Sequence, residues 1–274
     1  MKLEDVFEQT HRLPTVPKVV HELIDSFGKP GIDLGDIASK IALDQVIAAK
    51  TLRLANSAHF ATTHRIGSLH EAAMVLGFTT LRTLVVASGI TGAFVATQNF
   101  DRRQFWRNSL EVAAYCRWLA SLCKQDTEAA FTCGLIHNIG ELLLHVVAPD
   151  IAIRIDKWTA EGGDRQALED ANIGFDYIEI GAELARRWSF PESFRLAILH
   201  QAAPLTHPEC GSLGLILNLA ISLSKLTRQA HAPEEIMAAL PQDILAALNI
   251  DPAEFAARLA DGIEETRTIE ELVN

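Results

Sequence analysis

From about residue 15 to residue 272, almost every stretch of this chain repeats its apolar residues at intervals of three and four, the spacing of one face of an α-helix. No Asn-Gly or Asp-Gly turn divides two alternating β-branched runs, so nothing in the pattern asks for a hairpin. An all-α fold is expected. In "SLHEAAMVLGF", Ser68 and Glu71 have the spacing of a capping box, Leu69, Ala72, Ala73 and Leu76 share a face, and Gly77 stands where a helix end wants positive φ. Residues 103 to 124 place Trp106, Leu110, Ala113, Ala114, Arg117 and Ala120 on one side of a long helix. Further helical patterns cover about 15–27, 33–43, 45–57, 79–96, 127–147, 149–161, 176–188, 191–201, 211–229, 233–249 and 252–272. The segment 91–104 is the best internal joint. It divides two packed helical bundles, residues 1–100 and 101–230, followed by acidic helices over 231–274.

With 274 residues and 49% hydrophobic content, the chain can bury a sizeable core. No 18-residue apolar run lacks a polar interruption, and MKLEDVFEQTHRL has no signal-peptide pattern, so a soluble, cytoplasmic protein without a membrane role is expected. Cys116, Cys123, Cys133 and Cys210 show no CxxC spacing and read as reduced thiols. A net charge of −11 argues against bulk binding to nucleic acid or anionic lipid. That charge is uneven. Between residues 46 and 107 stand Lys50, Arg53, Arg65, Arg82, Arg102, Arg103 and Arg107 against Glu71 and Asp101, whereas residues 231–274 hold ten acids against Arg258 and Arg267. Solvated helix faces account for such a distribution. The sharper reading is a partner or ligand surface around Arg53, Asn56, Arg65 and Arg82.

One stretch carries chemistry. In "FTCGLIHNIGELLLH" (131–145) an apolar helix runs into His137-Asn138-Ile139-Gly140, which resembles the His-Asp-Ile-Gly heart of an HD-type metal-dependent phosphohydrolase with the carboxylate replaced by an amide. Other stretches point to a particular branch of that group: "LPTVPKVVHELID" (13–25), "IALDQVIAAKTLRLANSAHFA" (41–61) running into "IGSLHEAAMVLGFTTLRTLVV" (66–86), "FWRNSLEVA" (105–113) and "GFDYIEIGAELARRWSFPESFRLAILHQ" (174–201). Together they resemble the HDOD domain, a non-enzymatic relative of the HD phosphohydrolases found in bacterial signalling, over about residues 10 to 225. The resemblance implies that the second bundle is HD-domain-like.

A catalytic HD centre needs imidazoles and carboxylates converging on one or two ions to activate water. Carried onto this chain, the family's ligand positions fall at Asn108, His137, Asn138, Tyr177 and His200. Loss of the carboxylates removes both the charge that offsets a divalent ion's desolvation and the general base. Glu141, where relatives often have Lys, would repel a phosphate. His137 and Glu141, at i and i+4, could grip a stray transition metal or hydrogen bond, but His137 reads first as a buried core residue. No catalytic residue and no cofactor is expected, with a divalent transition metal at His137 and His200 as the exception to test. The remaining histidines form no HExxH or Cys/His spacing.

The resemblance implies a signal-transduction and protein–protein interaction module working beside receiver, kinase or cyclic-di-GMP-handling proteins, through either the Arg53–Arg82 junction or the pocket left by the vanished centre. The alternative is a divergent phosphohydrolase acting on a nucleotide or phosphomonoester. Oligomeric state cannot be read from these residues.

Overall fold

The computed structural model describes residues 2–8, 14–25, 33–56, 65–94, 100–229 and 231–273, without the side chains of 265 and 267–273. No strand occurs among them, and the chain divides into two compact units. One comprises Thr15–Val95 with Leu272–Asn274, and the other Met1–Pro14 with Ala96–Glu271. Ser57 and Ala58 of the LRLANSA stretch and the centre of the 91–104 joint lie outside the described residues.

In the unit of residues 15–95, α2 (Lys18–Ile24), α3 (Leu34–Ile41) and α4 (Gln45–Ala55) pack on α5 (Leu69–Ala93). Aspartates set the helix starts: Asp33 accepts from the Gly35 and Asp36 amides, and Asp44 from Val46 and Ile47. Ser68 caps α5 by accepting from Glu71 N at 3.1 Å. Gly77 interrupts α5 at φ 73°, ψ 163°, backbone that only glycine adopts readily, which is why the helix stops there and starts again.

The other unit starts with α1 (Leu3–Glu8), which the 3.6-residue pattern does not announce, and continues with α6 (Arg102–Leu122), α7 (Thr127–Ile136) and α8 (Ile139–Val147). Then come α9 (Pro149–Ala160), α10 (Arg165–Ile173), α11 (Tyr177–Arg187), α12 (Glu192–Leu199), two short 3-10 turns (Pro204–Thr206 and Pro208–Cys210) and α13 (Gly211–Arg228). The last elements are α14 (Pro233–Ala239), α15 (Gln242–Ala247) and α16 (Pro252–Val273). Asp101, Asp126, Asp164 and Asp176 cap α6, α7, α10 and α11, the last in a reciprocal box with Glu179.

α6 and α7 pack backbone to backbone at Gly134, where a methyl group would meet Ala113 Cα at 2.7 Å and Cys116 Sγ at 2.9 Å. All four cysteines are free, and burial pushes the Cys116 and Cys133 thiols up, away from reactivity. Two periodic stretches prove to be helix pairs. Residues 127–147 break at His137–Asn138, and 233–249 at Leu240–Pro241. Three stretches, Leu69–Ala93, Thr127–Val147 and Pro208–Arg228, are long and apolar enough to cross a membrane by length and composition, contrary to the reading that polar interruptions exclude such a run. In Thr127–Val147, 89% of the apolar window is buried inside the protein.

Candidate functional site

The break between α7 and α8 builds the site. A helix end leaves carbonyls without ladder partners, and here side chains take them. His137 Nδ1–H donates to Gly134 O at 2.6 Å, and Gln201 Nε2 donates to His137 O at 3.1 Å from beyond α12. The first bond fixes the tautomer, so Nε2 carries the free lone pair of a neutral ring. Burial pushes the His137 imidazole down to about 4, opposed by the Gly134 carbonyl and helped by the Arg228 guanidinium.

Asn138 follows. It opens α8, yet its side chain makes no cap bond. Its Oδ1 instead accepts from Ser109 Oγ at 2.9 Å, a buried link to α6. Next to Ser109 on α6, Asn108 Oδ1 accepts from Gln104 Nε2, one turn earlier, at 2.8 Å. Asn108, His137 and Asn138 thus meet, as the motif spacing predicts, in a cleft of about 420 Å³ that Phe100, Phe105, Gln104, Glu141, Asp156 and Arg228 also line.

The charged wall of the cleft belongs to a network that the sequence motifs do not include. Arg165 donates to Asp156, lies 3.0 Å from Glu169 Oε1 and 3.8 Å from Glu141 Oε2, and is half-surrounded by carboxylates. His145 Nε2 sits 2.9 Å from Asp156 Oδ2, with Phe100 against its ring. Glu169 is fully buried and accepts from Tyr177 N at 2.6 Å. Burial pushes its carboxyl up to about 7 despite that bond and Arg165. Burial likewise raises Glu141, while for Asp156 it is outweighed by His145 and Arg165, which hold the carboxyl low. The sequence signal for this network was the i,i+4 pair Arg165–Glu169. Glu141 faces Arg165 rather than gripping an ion with His137, because the helix break takes the two off a common i,i+4 face.

Two of the family's ligand positions lie elsewhere. Tyr177 is absent from the cleft lining, and its phenol is pushed up by burial and by the carboxylates of Glu141, Asp176 and Glu169. His200 is absent too, its ring stacked on His207 at 3.8 Å between centroids. The neighbouring Gln201, not His200, reaches the His137 turn.

In the other unit, Arg53 and Arg65 are exposed, but Arg82 is only 7% exposed and lies over the Phe78 ring, so it offers no guanidinium to a partner. Phe78 and Arg82 are one helical turn apart, which buries the cation against the ring. Asn56 acts within its own fold: Nδ2 donates to Leu52 O and Ile66 O at 2.8 and 2.9 Å, and Oδ1 accepts from Ile66 N at 2.8 Å. Asn56→Ala removes all three bonds and is expected to cost about 1–3 kcal/mol. Urea unfolding of the variant measures this, and a loss below about 0.5 kcal/mol would assign the loop's order to other contacts.

The donor set does not fit the metal that an HD centre implies. The family's ligand positions in the cleft offer one imidazole nitrogen and two neutral amides whose oxygens already accept hydrogen bonds from Gln104 and Ser109, and the two carboxylates that also line it are turned to cations of the protein, Glu141 to Arg165 and Asp156 to Arg165 and His145. Among the described residues, no three His, Cys, Asp or Glu ligand atoms come within 4.8 Å of one another in the cleft.

Comparison with known proteins agrees with this architecture. The HDOD domain family model matches residues 13–204. A presumptive phosphohydrolase from Shewanella amazonensis SB2B has the same fold at TM-score 0.80 and 32% identity, with 98% of each chain covered. A presumptive signal transduction protein from Marinobacter aquaeolei VT8 superposes at TM-score 0.78 and 23% identity over 99% of this chain and 61% of its own. An uncharacterized protein of Treponema pallidum (strain Nichols) is 28% identical over 183 residues, 66% of this chain. The match spans 36% of that relative's length.

Proposed function

We propose that this chain, which belongs to the HDOD domain family, is a non-catalytic module of bacterial signal transduction whose degenerate HD site serves as an interaction cleft rather than a metal centre. The observation that carries the reading is the commitment of the amide oxygens: Asn138 to Ser109 and Asn108 to Gln104. A neutral amide oxygen that already accepts a hydrogen bond inside the protein is a poor ligand for a hard cation, and the carboxylates nearby, Glu141 and Asp156, are engaged by Arg165. The cleft remains open and polar, suited to a small ligand or a partner's side chain. In this reading the protein is cytoplasmic and acts through signalling partners, of two-component or cyclic-di-GMP type, with exposed Arg53 and Arg65 as a second contact surface. The name of the Marinobacter neighbour supports the signalling role by analogy of fold.

The rival, a divergent metal-dependent phosphohydrolase, draws on the Shewanella neighbour at 32% identity. Elemental analysis of chelator-free protein, with hydrolysis of p-nitrophenyl phosphate and a cyclic dinucleotide, separates the two. Wild-type protein and His137→Ala are expected to hold the same amount of metal and to hydrolyse neither substrate. A stoichiometric ion lost in His137→Ala together with measurable hydrolysis would establish the rival.

A further inference from the structure

The histidine that the ligand pattern assigns to the HD centre stands in a different constellation. His200 ends α12, and the chain then makes two 3-10 turns that bring back His207 and Glu209. Glu209 Oε1 lies 3.5 Å from His200 Nε2 and 3.3 Å from His207 Nδ1. Ligand atoms of all three residues fall within 4.8 Å of one another, the one such group of His, Cys, Asp and Glu among the described residues. Two donors each 2.0–2.1 Å from one tetrahedral ion are about 3.3 Å apart, so both nitrogen–oxygen separations already match coordination.

The frame that carries these side chains is fixed by the local sequence. Pro204 and Pro208 each begin a 3-10 turn, and Gly211 takes φ 59° where the second turn meets α13. Cys210, buried between, points its sulfur at Pro204 O, 3.5 Å away. Asn218 of α13 donates to Gln201 O at 2.7 Å, holding the exit of α12. The stacked rings lie only 13° from parallel, so one of them must rotate out of the stack for both in-plane lone pairs to address one ion, and His207, its side chain 43% exposed, has room to turn.

We infer that His200, His207 and Glu209 form a binding site for a borderline divalent transition ion such as Zn(II), separate from the HD-type cleft. Two imidazoles and one carboxylate are the donor set such ions prefer, and they leave coordination positions for water or a further ligand. Arg195, which pairs with Glu192, is a further cation that acts on His200, after burial and the His207 ring. Because Gln201 grips the His137 carbonyl, an ion here would stiffen the turn that abuts the cleft.

Titration calorimetry of metal-stripped protein with Zn(II), and Co(II) absorption spectra, test the site in wild type, His207→Ala, Glu209→Gln and His137→Ala. Wild type and His137→Ala are expected to bind one Zn(II) with equal affinity, while His207→Ala and Glu209→Gln weaken it at least tenfold and abolish the Co(II) d–d bands. Both altered side chains are well exposed, so these variants should fold, which circular dichroism confirms. Wild-type binding that survives both substitutions, or no binding at micromolar protein, would overturn the site. Loss in His137→Ala alone would also overturn it and return the ion to the cleft, against the metal-free reading of that cleft as well, whereas binding that survives all three substitutions overturns the His200–His207–Glu209 site alone.

Discussion

Replacing Gly140 by alanine is expected to destabilise the protein by about 3 kcal/mol or more, although the substitution adds one methyl group to a helix. Helix propensity alone would favour alanine by about 1 kcal/mol. Packing reverses the sign. A Cβ at this position would lie 1.9 Å from Tyr177 O and 2.8 Å from Gly181 N, both backbone atoms of α11 that cannot swing aside. The clash can be relieved only by moving α8, which carries Glu141 of the cleft wall, away from α11. Gly181 across the interface is the internal control. Its added methyl would meet Gly140 N, Ile139 and Ile198 at 3.5–3.6 Å, ordinary contact distances. Gly181→Ala is therefore expected to be neutral or slightly stabilising. Guanidinium unfolding midpoints of the two variants check the pair, and equal losses would show that the α8–α11 approach is not the cause.

Arg165→Met is expected to cost about 3–5 kcal/mol at neutral pH, because it removes the cation from three carboxylates while keeping an unbranched apolar stem in its place. Glu169 has no exposed surface, and Asp156 and Glu141 lose their shared partner as well. The pH dependence identifies the mechanism. Burial raises the Glu169 carboxyl to about 7, above its unfolded value near 4.3. A raised carboxyl contributes stability that is complete below the unfolded pKa and is lost as pH rises through the folded one. Wild-type stability should thus fall between about pH 4.5 and 7, with Glu169 contributing at most about 1.4 kcal/mol per pH unit. Glu141, also raised by burial, acts in the same direction. Asp156 is lowered and acts in the opposite one, its contribution lost only as pH drops below the usual carboxylate range. Urea unfolding across pH 4.5–8 should show a shallower slope in Glu169→Gln and a steeper one in Arg165→Met. An unchanged slope in Glu169→Gln would place the ionisation elsewhere.

Helices were legible from apolar spacing because a buried stripe leaves a mark at every third or fourth residue. Their breaks left less trace. Gly77 announced its break, since glycine at a helix end has a conformational reason to be there. His137–Asn138 did not, because neither residue is a helix breaker and the carbonyl freed at His137 is satisfied by Gln201, 64 positions away. The same separation explains the cleft. Asn108, His137 and Asn138 were placed by motif and meet there, whereas His200 and Tyr177, at the same family positions, do not line it. His200 turns instead to His207, a neighbour with no recognised spacing. Arg82 counted as a surface cation because its charge was visible in the sequence, while the Phe78 ring that helps to bury it one turn earlier had no such weight.

The pairing of α1 with the second unit has a consequence for synthesis. Phe7 is buried and carries the Arg187 guanidinium 4.4 Å above its ring. α1 therefore waits for a partner on α11, and at about 5–20 residues per second that interval is roughly 10 to 35 seconds. Val6 and Phe7 lack that partner throughout it, and the whole of residues 15–95 is made while α1 still waits for α11. The order in which the ribosome delivers this chain is thus not the order in which its larger unit closes.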